Sequence, residues 1–186
     1  MYPIIEQAGI RLRTFRATDW PGIIEAASDP YIVATTTVPP NCDEPGARDF
    51  IERQLRRLPE GTGYSFAIAS RADDTLVGQI GVWLEDRDQG RVTLGYWIIP
   101  SARGKGIAST ALRMATDFAW TLDGLVGLEL HIEPDNHASI RTAERCGYVR
   151  EGLLRAHKLI GTQWRDVLCY SAAPSPTGQE TTPSLR

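Results

Sequence analysis

The chain has 186 residues, of which 42% are hydrophobic and 23% charged, and its formal net charge is −3. That length suits one domain with a sizeable core, and the slightly acidic balance gives a nucleic acid or an anionic membrane no overall field to respond to. The three cysteines, Cys42, Cys146 and Cys169, are too widely spaced for a disulfide framework or a zinc ribbon, and the N-terminus has no signal-like apolar run, so a cytoplasmic setting is expected.

In chain order, Ile10 and Leu12 alternate with Arg11 and Arg13 and predict a strand over 10–16. Thr18 or Asp19 then caps a helix to about Ser28, with Pro21 in its first turn and Asp29-Pro30 as its stop. Ala47, Phe50, Ile51, Leu55 and Leu58 recur at helical spacing and predict a second helix over 44–58, so that the two helices form an N-terminal cap. Three antiparallel strands follow over 64–70, 76–85 and 91–99, joined by polar turns. A helix over 106–122, a strand over 125–133, a helix over 136–146 and a hairpin of strands 148–159 and 163–172, turned at Gly161, complete the order. This is a mixed α/β (α+β) chain of about seven strands and four helices with a buried βαβ unit, expected as one domain over 1–172. Residues 173–186, rich in Pro, Ser, Thr and Gly, are expected to form a disordered tail.

The most informative stretch is Arg103-Gly104-Lys105-Gly106-Ile107-Ala108, a glycine-rich loop between an apolar strand and an amphipathic helix. Glycines allow close backbone approach, and the first N–H groups of the helix lack intrahelical partners, which suits a phosphate or diphosphate beside Arg103 and Lys105. The spacing fits neither a nucleotide triphosphatase loop nor a dinucleotide fingerprint. The pattern it does carry is Arg-x-x-Gly-x-Ala at Arg103, Gly106 and Ala108.

This loop resembles the diphosphate loop of the GNAT superfamily of N-acetyltransferases. A second segment strengthens the likeness: Asn136-x-x-Ser139, a short helix, Gly147-Tyr148 and Glu151-Gly152 are similar to the second acyl-CoA motif of RimJ/RimL-type ribosomal-protein N-terminal acetyltransferases. Ile10 to Arg16 with Asp19, Gly95-Tyr96-Trp97, and Arg165-Asp166-Val167 with Tyr170 extend the resemblance over about residues 10 to 172. It implies a mostly antiparallel GNAT-like sheet, acetyl-CoA as cosubstrate, and an amine acceptor: a peptide or protein N-terminus or a small amine; no metal is expected, because the three histidines show no His-x-x-x-His or clustered acid spacing. It names no oligomeric state, and a homodimer is compatible with it.

Acetyl transfer from a thioester to an amine needs a held donor, a neutral amine, stabilised charge on the carbonyl oxygen and a proton for the thiolate. The resemblance assigns the donor to Arg103, Gly104, Lys105, Gly106, Ile107 and Ala108, with backbone of Trp97, Ile98 and Ile99 along the pantetheine arm. Arg141 and Arg145 either contact the nucleotide or are solvated. Asn136 is expected to hold the arm and Ser139 to protonate the departing sulfur, with either of the two as the helix cap while the other works. Where many relatives place a glutamate ahead of the apolar-Gly-Tyr of the fourth strand, this chain has Thr93, which leaves Glu85, His157, His131 or water as base. At pH 7 an α-amino group is roughly one-sixth neutral, whereas a lysine is neutral only about four times in ten thousand. A weak base therefore favours an α-amine. A noncatalytic acyl-CoA-binding module and a transferase of another acyl group are the alternatives.

Overall fold

The computed structural model describes residues 3–174. Its centre is an eight-stranded sheet in the order β1-β2-β3-β4-β5-β6-β8-β7. The strands are β1 (Ile5–Gln7), β2 (Ile10–Arg13), β3 (Gly63–Ser70), β4 (Leu76–Trp83), β5 (Arg91–Ile98), β6 (Gly127–Ile132), β7 (Val149–Ile160) and β8 (Gln163–Ala172). The helices are α1 (Trp20–Ala27), α2 (Pro30–Thr35), α3 (Glu44–Arg56), α4 (Ile107–Ala119) and α5 (His137–Arg145). All strand pairs are antiparallel except β5 with β6, which α4 connects as a crossover. This is the expected βαβ unit.

Two elements go beyond the sequence reading. Strand β1 adds an eighth strand, pairing Ile5 with Leu12, and α2 adds a fifth helix. The sequence predicts the Asp29-Pro30 pair as a stop for the preceding helix. It does follow the end of α1, but it also starts the next one: the Asp29 carboxylate accepts from the Tyr31 and Ile32 N–H groups, and Pro30 supplies the fixed φ of a first helical position. Asp19 does not cap α1 with its side chain. It takes both guanidinium nitrogens of Arg13 at 2.8 Å, a pair that is 2% and 3% exposed and ties β2 to the start of α1. Deleting either partner would strand a buried charge at a cost of about 3–5 kcal/mol.

The core lies on both faces of the sheet. Phe50 and Ile51 of α3 meet Trp97 and Phe15 on one side, and Ala111, Leu112 and Ala115 of α4 are fully enclosed on the other. The helical stripe on α3 differs by one position from its expected course. Leu55 is 40% exposed, whereas Gln54 is 1% exposed and continues the buried line Ala47, Phe50, Ile51. The expected tail falls largely on residues 175–186, outside the described residues. Among those described, no helix is long and apolar enough to cross a membrane.

Candidate active site

The site is created where two strands stop pairing. Strand β5 pairs with β6 only from Arg91–Gly127 to Leu94–Leu130; from Gly95 onward its β6-facing edge has no strand partner. Beyond that point β6 stays paired with β8 alone. The wedge between the strands opens into two cavities, of about 470 Å³ and 430 Å³, which share Tyr31, Thr35, Thr36, Tyr96, Trp97, Asn136 and Ser139.

The first cavity runs from the wedge to the glycine-rich loop. Gly104, Gly106, Ile107 and Ala108 line it, with Arg141 and Arg145 across from them on α5. Gly106 is the N-cap residue of α4 at φ 75°, a left-handed backbone that glycine adopts without steric cost. A Cβ there would meet no protein atom within 4 Å, so the space beside the backbone is open. The first hydrogen bond back to the cap is Thr110 N–H to Gly106 C=O, which leaves the N–H groups of Ile107, Ala108 and Ser109 ahead of the helical ladder.

Of the residues expected to hold the acyl donor, Lys105 and Ile99 do not line this cavity, whereas Arg103 and Asn136 line it with their polar groups already engaged. Arg103 lines the cavity but is already engaged: its Nε donates to the Ile98 carbonyl at 3.1 Å and its Nη2 meets Asp29 at 2.5 Å. Burial would raise the Asp29 carboxyl, but hydrogen bonds from Arg103 and the α2 N–H groups outweigh it and hold it below the ordinary value. Lys105 does not line the cavity; its Nζ donates to the Ser101 carbonyl at 3.3 Å. Ile99 is core, 5% exposed, with its N–H bonded to Val77 on β4. Asn136 has both ends of its amide engaged, accepting the Ser139 N–H at 3.0 Å and donating to the Tyr31 hydroxyl at 3.0 Å. Asn136 is therefore the helix cap, which frees the Ser139 hydroxyl for other work. That hydroxyl lies beside the Tyr96 phenol, whose oxygen is buried without a hydrogen-bond partner and whose pKa is raised by burial.

The second cavity lies on the other side of the shared residues. Glu85 and His131 line it as expected, but His157 does not; it is exposed on β7 with its ring edge-on to His131 at 4.8 Å. Burial, then the neighbouring His157, holds the His131 pKa below its ordinary value. The carboxylate that the sequence reading missed is Glu133. It follows the last residue of β6, its side chain is 10% exposed, and it meets Arg165 at 3.3 Å. The Tyr31 phenol faces it, and burial together with that contact pushes the phenol up to about 12. Lys158 is exposed on β7 but lines this cavity, where desolvation holds its ammonium below the usual lysine range against the pull of Glu133. A sequence signal for Glu133 existed in its place beside the Asn-x-x-Ser motif. Tyr31 had none, because only α2 brings it across the chain to Asn136.

On the open sheet face nearby, donor atoms of Glu129, His131 and Cys169 lie within 4.8 Å of one another. Arg91 holds one Glu129 oxygen at 2.6 Å. No spacing in the sequence announced this group, because Cys169 reaches it only through the β6–β8 register that pairs it with His131.

Residues 10–149 match the family described as the acetyltransferase (GNAT) domain. The chain belongs to that family. It is a GNAT N-acetyltransferase that uses acetyl-CoA. The chain is 29% identical over 162 residues, 87% of its length and 91% of the relative's, to the N-acetyltransferase p20 of Bacillus licheniformis, whose own role is uncharacterised. A shorter match, 34% over 70 residues and 38% of this chain, is to the spermidine N(1)-acetyltransferase of Vibrio cholerae, of which it covers 40%. Among solved structures, RimL, a ribosomal L7/L12 α-N-protein acetyltransferase in complex with coenzyme A, superposes with a TM-score of 0.76 at 17% identity, covering 92% of this chain and 98% of that one. The mixed, mostly antiparallel sheet of this GNAT enzyme is thus the family's fold.

Proposed function

We propose that the enzyme acetylates an amine of low pKa, the α-amino group of a peptide, a protein N-terminus or a small molecule, with acetyl-CoA held in the first cavity and the amine entering by the second. The observation that carries this reading is the junction of the two cavities at Tyr96, Trp97, Asn136 and Ser139, beside the unpaired edge of β5. A thioester carbonyl placed there has strand N–H groups on one side and an approaching amine on the other. Pre-oriented backbone donors of that kind stabilise the oxyanion of the tetrahedral intermediate. A noncatalytic acyl-CoA-binding module has no use for the second cavity.

The proposed roles follow from position. Glu133, at the wall of the amine cavity, takes a proton from the attacking nitrogen as the new C–N bond forms, and Tyr31 keeps its carboxylate aimed. Collapse of the intermediate breaks the C–S bond, and the Ser139 hydroxyl donates a hydrogen bond to the departing thiolate, which then takes its proton from water, with Tyr96 as the buried neighbour of Ser139. Arg165 and Lys158 balance the charge of Glu133, so the cavity presents one buried carboxylate instead of an acidic cluster. A single weak base suits an amine that is already partly neutral near pH 7.

The test is a competition between a peptide with a free N-terminus and its N-blocked, lysine-containing counterpart, read by mass spectrometry. Modification of the free N-terminus is expected. Preferential modification of lysine would overturn the proposal.

A further inference from the structure

A cluster of ligand-type side chains lies on β6 and β8, beside the second cavity but apart from the thioester junction. Strand alternation puts Glu129 and His131 on one face of β6, and the antiparallel register sets Cys169 of β8 directly opposite His131. Oxygen, nitrogen and sulfur donors of the three fall within 4.8 Å of one another, and all three residues are partly buried. His131 Nε2 stands 3.4 Å from Glu129 Oε2. That is close to the ~3.3 Å edge of a tetrahedron with metal–ligand bonds of ~2.0–2.1 Å. The other carboxylate oxygen, Oε1, accepts from Arg91 at 2.6 Å, which orients Glu129 and leaves Oε2 to face the cluster.

A fourth group approaches from β7. The β7–β8 register shifts between Leu154 and Lys158, and in that bulge Ala156 takes φ 44° while its N–H donates to Asp166 Oδ1 at 2.8 Å. The bulge brings the His157 ring to 4.8 Å from His131, centroid to centroid, with the planes 84° apart. An entry path exists, because Glu129 and Cys169 line a third cavity of about 480 Å³ together with Arg91 and Glu151. Neither residue lines the two cavities that meet at Ser139. One carboxylate, two imidazoles and one thiol make a borderline-soft donor set, suited to zinc and its neighbours and poor for magnesium or calcium.

We propose that Glu129 Oε2, a ring nitrogen of His131 and Cys169 Sγ bind one divalent ion of the zinc class, with His157 as the fourth ligand. The Cys169 thiol passes its proton to solvent as the ion binds, and the carboxylate and thiolate together balance the dication. The ion ties β6 to β8 and to the bulge of β7, next to Lys158. Since His131 and Lys158 also line the second cavity, occupancy braces one wall of that cavity without reaching the thioester junction. The site is independent of the acceptor and of the acetyl transfer proposed above, and its role is structural. No spacing in the sequence marks it, because its ligands come together only through sheet register and a bulge.

The experiment uses the whole chain without an affinity tag or coenzyme A, either of which would compete for the metal. Zinc affinity is measured by competition with a chromophoric chelator, cobalt serves as the optical probe, and Tm is followed with zinc, magnesium and calcium. The wild type is expected to bind one zinc per chain with a Kd of about 1 μM or below. At free zinc about a hundredfold above Kd, Tm should rise by about 5 °C or more, while magnesium and calcium leave it in place. Cobalt should give a sulfur-to-metal charge-transfer band together with d–d bands of tetrahedral intensity. Cys169→Ser and Glu129→Gln, each close in shape to the native residue, should keep the metal-free Tm within about 2 °C and weaken zinc by about tenfold to a hundredfold or more. Cys169→Ser should also abolish the charge-transfer band, whereas Cys42→Ser and Cys146→Ser should leave it intact. His157→Ala should weaken zinc by about tenfold. A wild type that binds no stoichiometric zinc tighter than about 10 μM overturns the proposal, as does a charge-transfer band that survives in Cys169→Ser. Zinc affinity unchanged in His157→Ala removes that residue from the ligand set.

Discussion

Replacing Gly106 by aspartate tests the cosubstrate cavity with little interference from folding. The backbone there sits at φ 75°, and a Cβ would meet nothing within 4 Å, so the only structural cost is left-handed strain of about 1 kcal/mol, which aspartate tolerates better than most residues. In a chain of this size that should lower Tm by about 2–4 °C. Binding should suffer far more, because the new carboxylate projects toward the diphosphate from the first turn of α4. Two unit charges 4 Å apart repel by about 4 kcal/mol at an effective dielectric of 20, and the helix end no longer offers an uncovered N–H to the anion. Allowing for screening, a loss of about 3 kcal/mol, or more than a hundredfold in Kd for coenzyme A, is expected by calorimetry. Gly106→Asn has the same shape without the charge, and should lose only about tenfold, so the pair separates electrostatics from bulk. A folded Gly106→Asp protein that binds coenzyme A within about threefold of the wild type would refute the assignment of the loop.

Three further outcomes follow from the site. Ser139→Ala should lower kcat by about tenfold or more while leaving the KM for acetyl-CoA within about twofold, because its contact strengthens as charge develops on sulfur; unchanged kcat would reduce Ser139 to a structural residue. Glu133→Gln should cut kcat/KM by about a hundredfold at pH 7, and because the free α-amine fraction rises about sixfold toward pH 9 for wild type and variant alike, the ratio of the two should persist there; a loss of less than about threefold would remove Glu133 as the base. Asp29→Asn keeps an acceptor for the Tyr31 N–H but releases Arg103, so coenzyme A should bind up to about fivefold more tightly at low salt, an effect that calorimetry at rising ionic strength should erase. The same gain should emerge in the wild type, though not in the variant, as pH falls through the lowered Asp29 pKa, since the pair holds Arg103 only while the carboxylate is ionised.

The local signals in this chain carried the family and most of the fold. The glycine loop and the Asn136-x-x-Ser139 segment are short-range patterns, legible because backbone conformation and helix initiation depend on neighbouring residues. The crossover between β5 and β6 was equally legible, since an apolar strand, an amphipathic helix and a second strand in that order can only close one way. Periodicity on α3 also contained a buried polar residue: 47, 50, 51 and 54 form one stripe, and Gln54 stands in its last apolar place, although Leu55 drew attention first because it is hydrophobic.

What the tertiary structure alone decided is which of the chemically capable groups meet. The sequence leaves Asn136 between the pantetheine arm and the helix cap; the fold makes it the cap, and the entry of Tyr31 from α2 uses its second amide end, a partner 105 residues away that no pattern within α5 could foretell. Arg103 and Lys105 look equivalent in the loop, yet one is tied to Asp29 and the other points to its own turn. Glu85 and His131, chosen by residue type, do line the second cavity, and Glu133 joins them there because β6 ends at the mouth of the wedge. Charge, hydrogen bonding and burial at such positions depend on strand splay and register, which are set by packing across the whole sheet and leave no trace in the spacing of nearby residues.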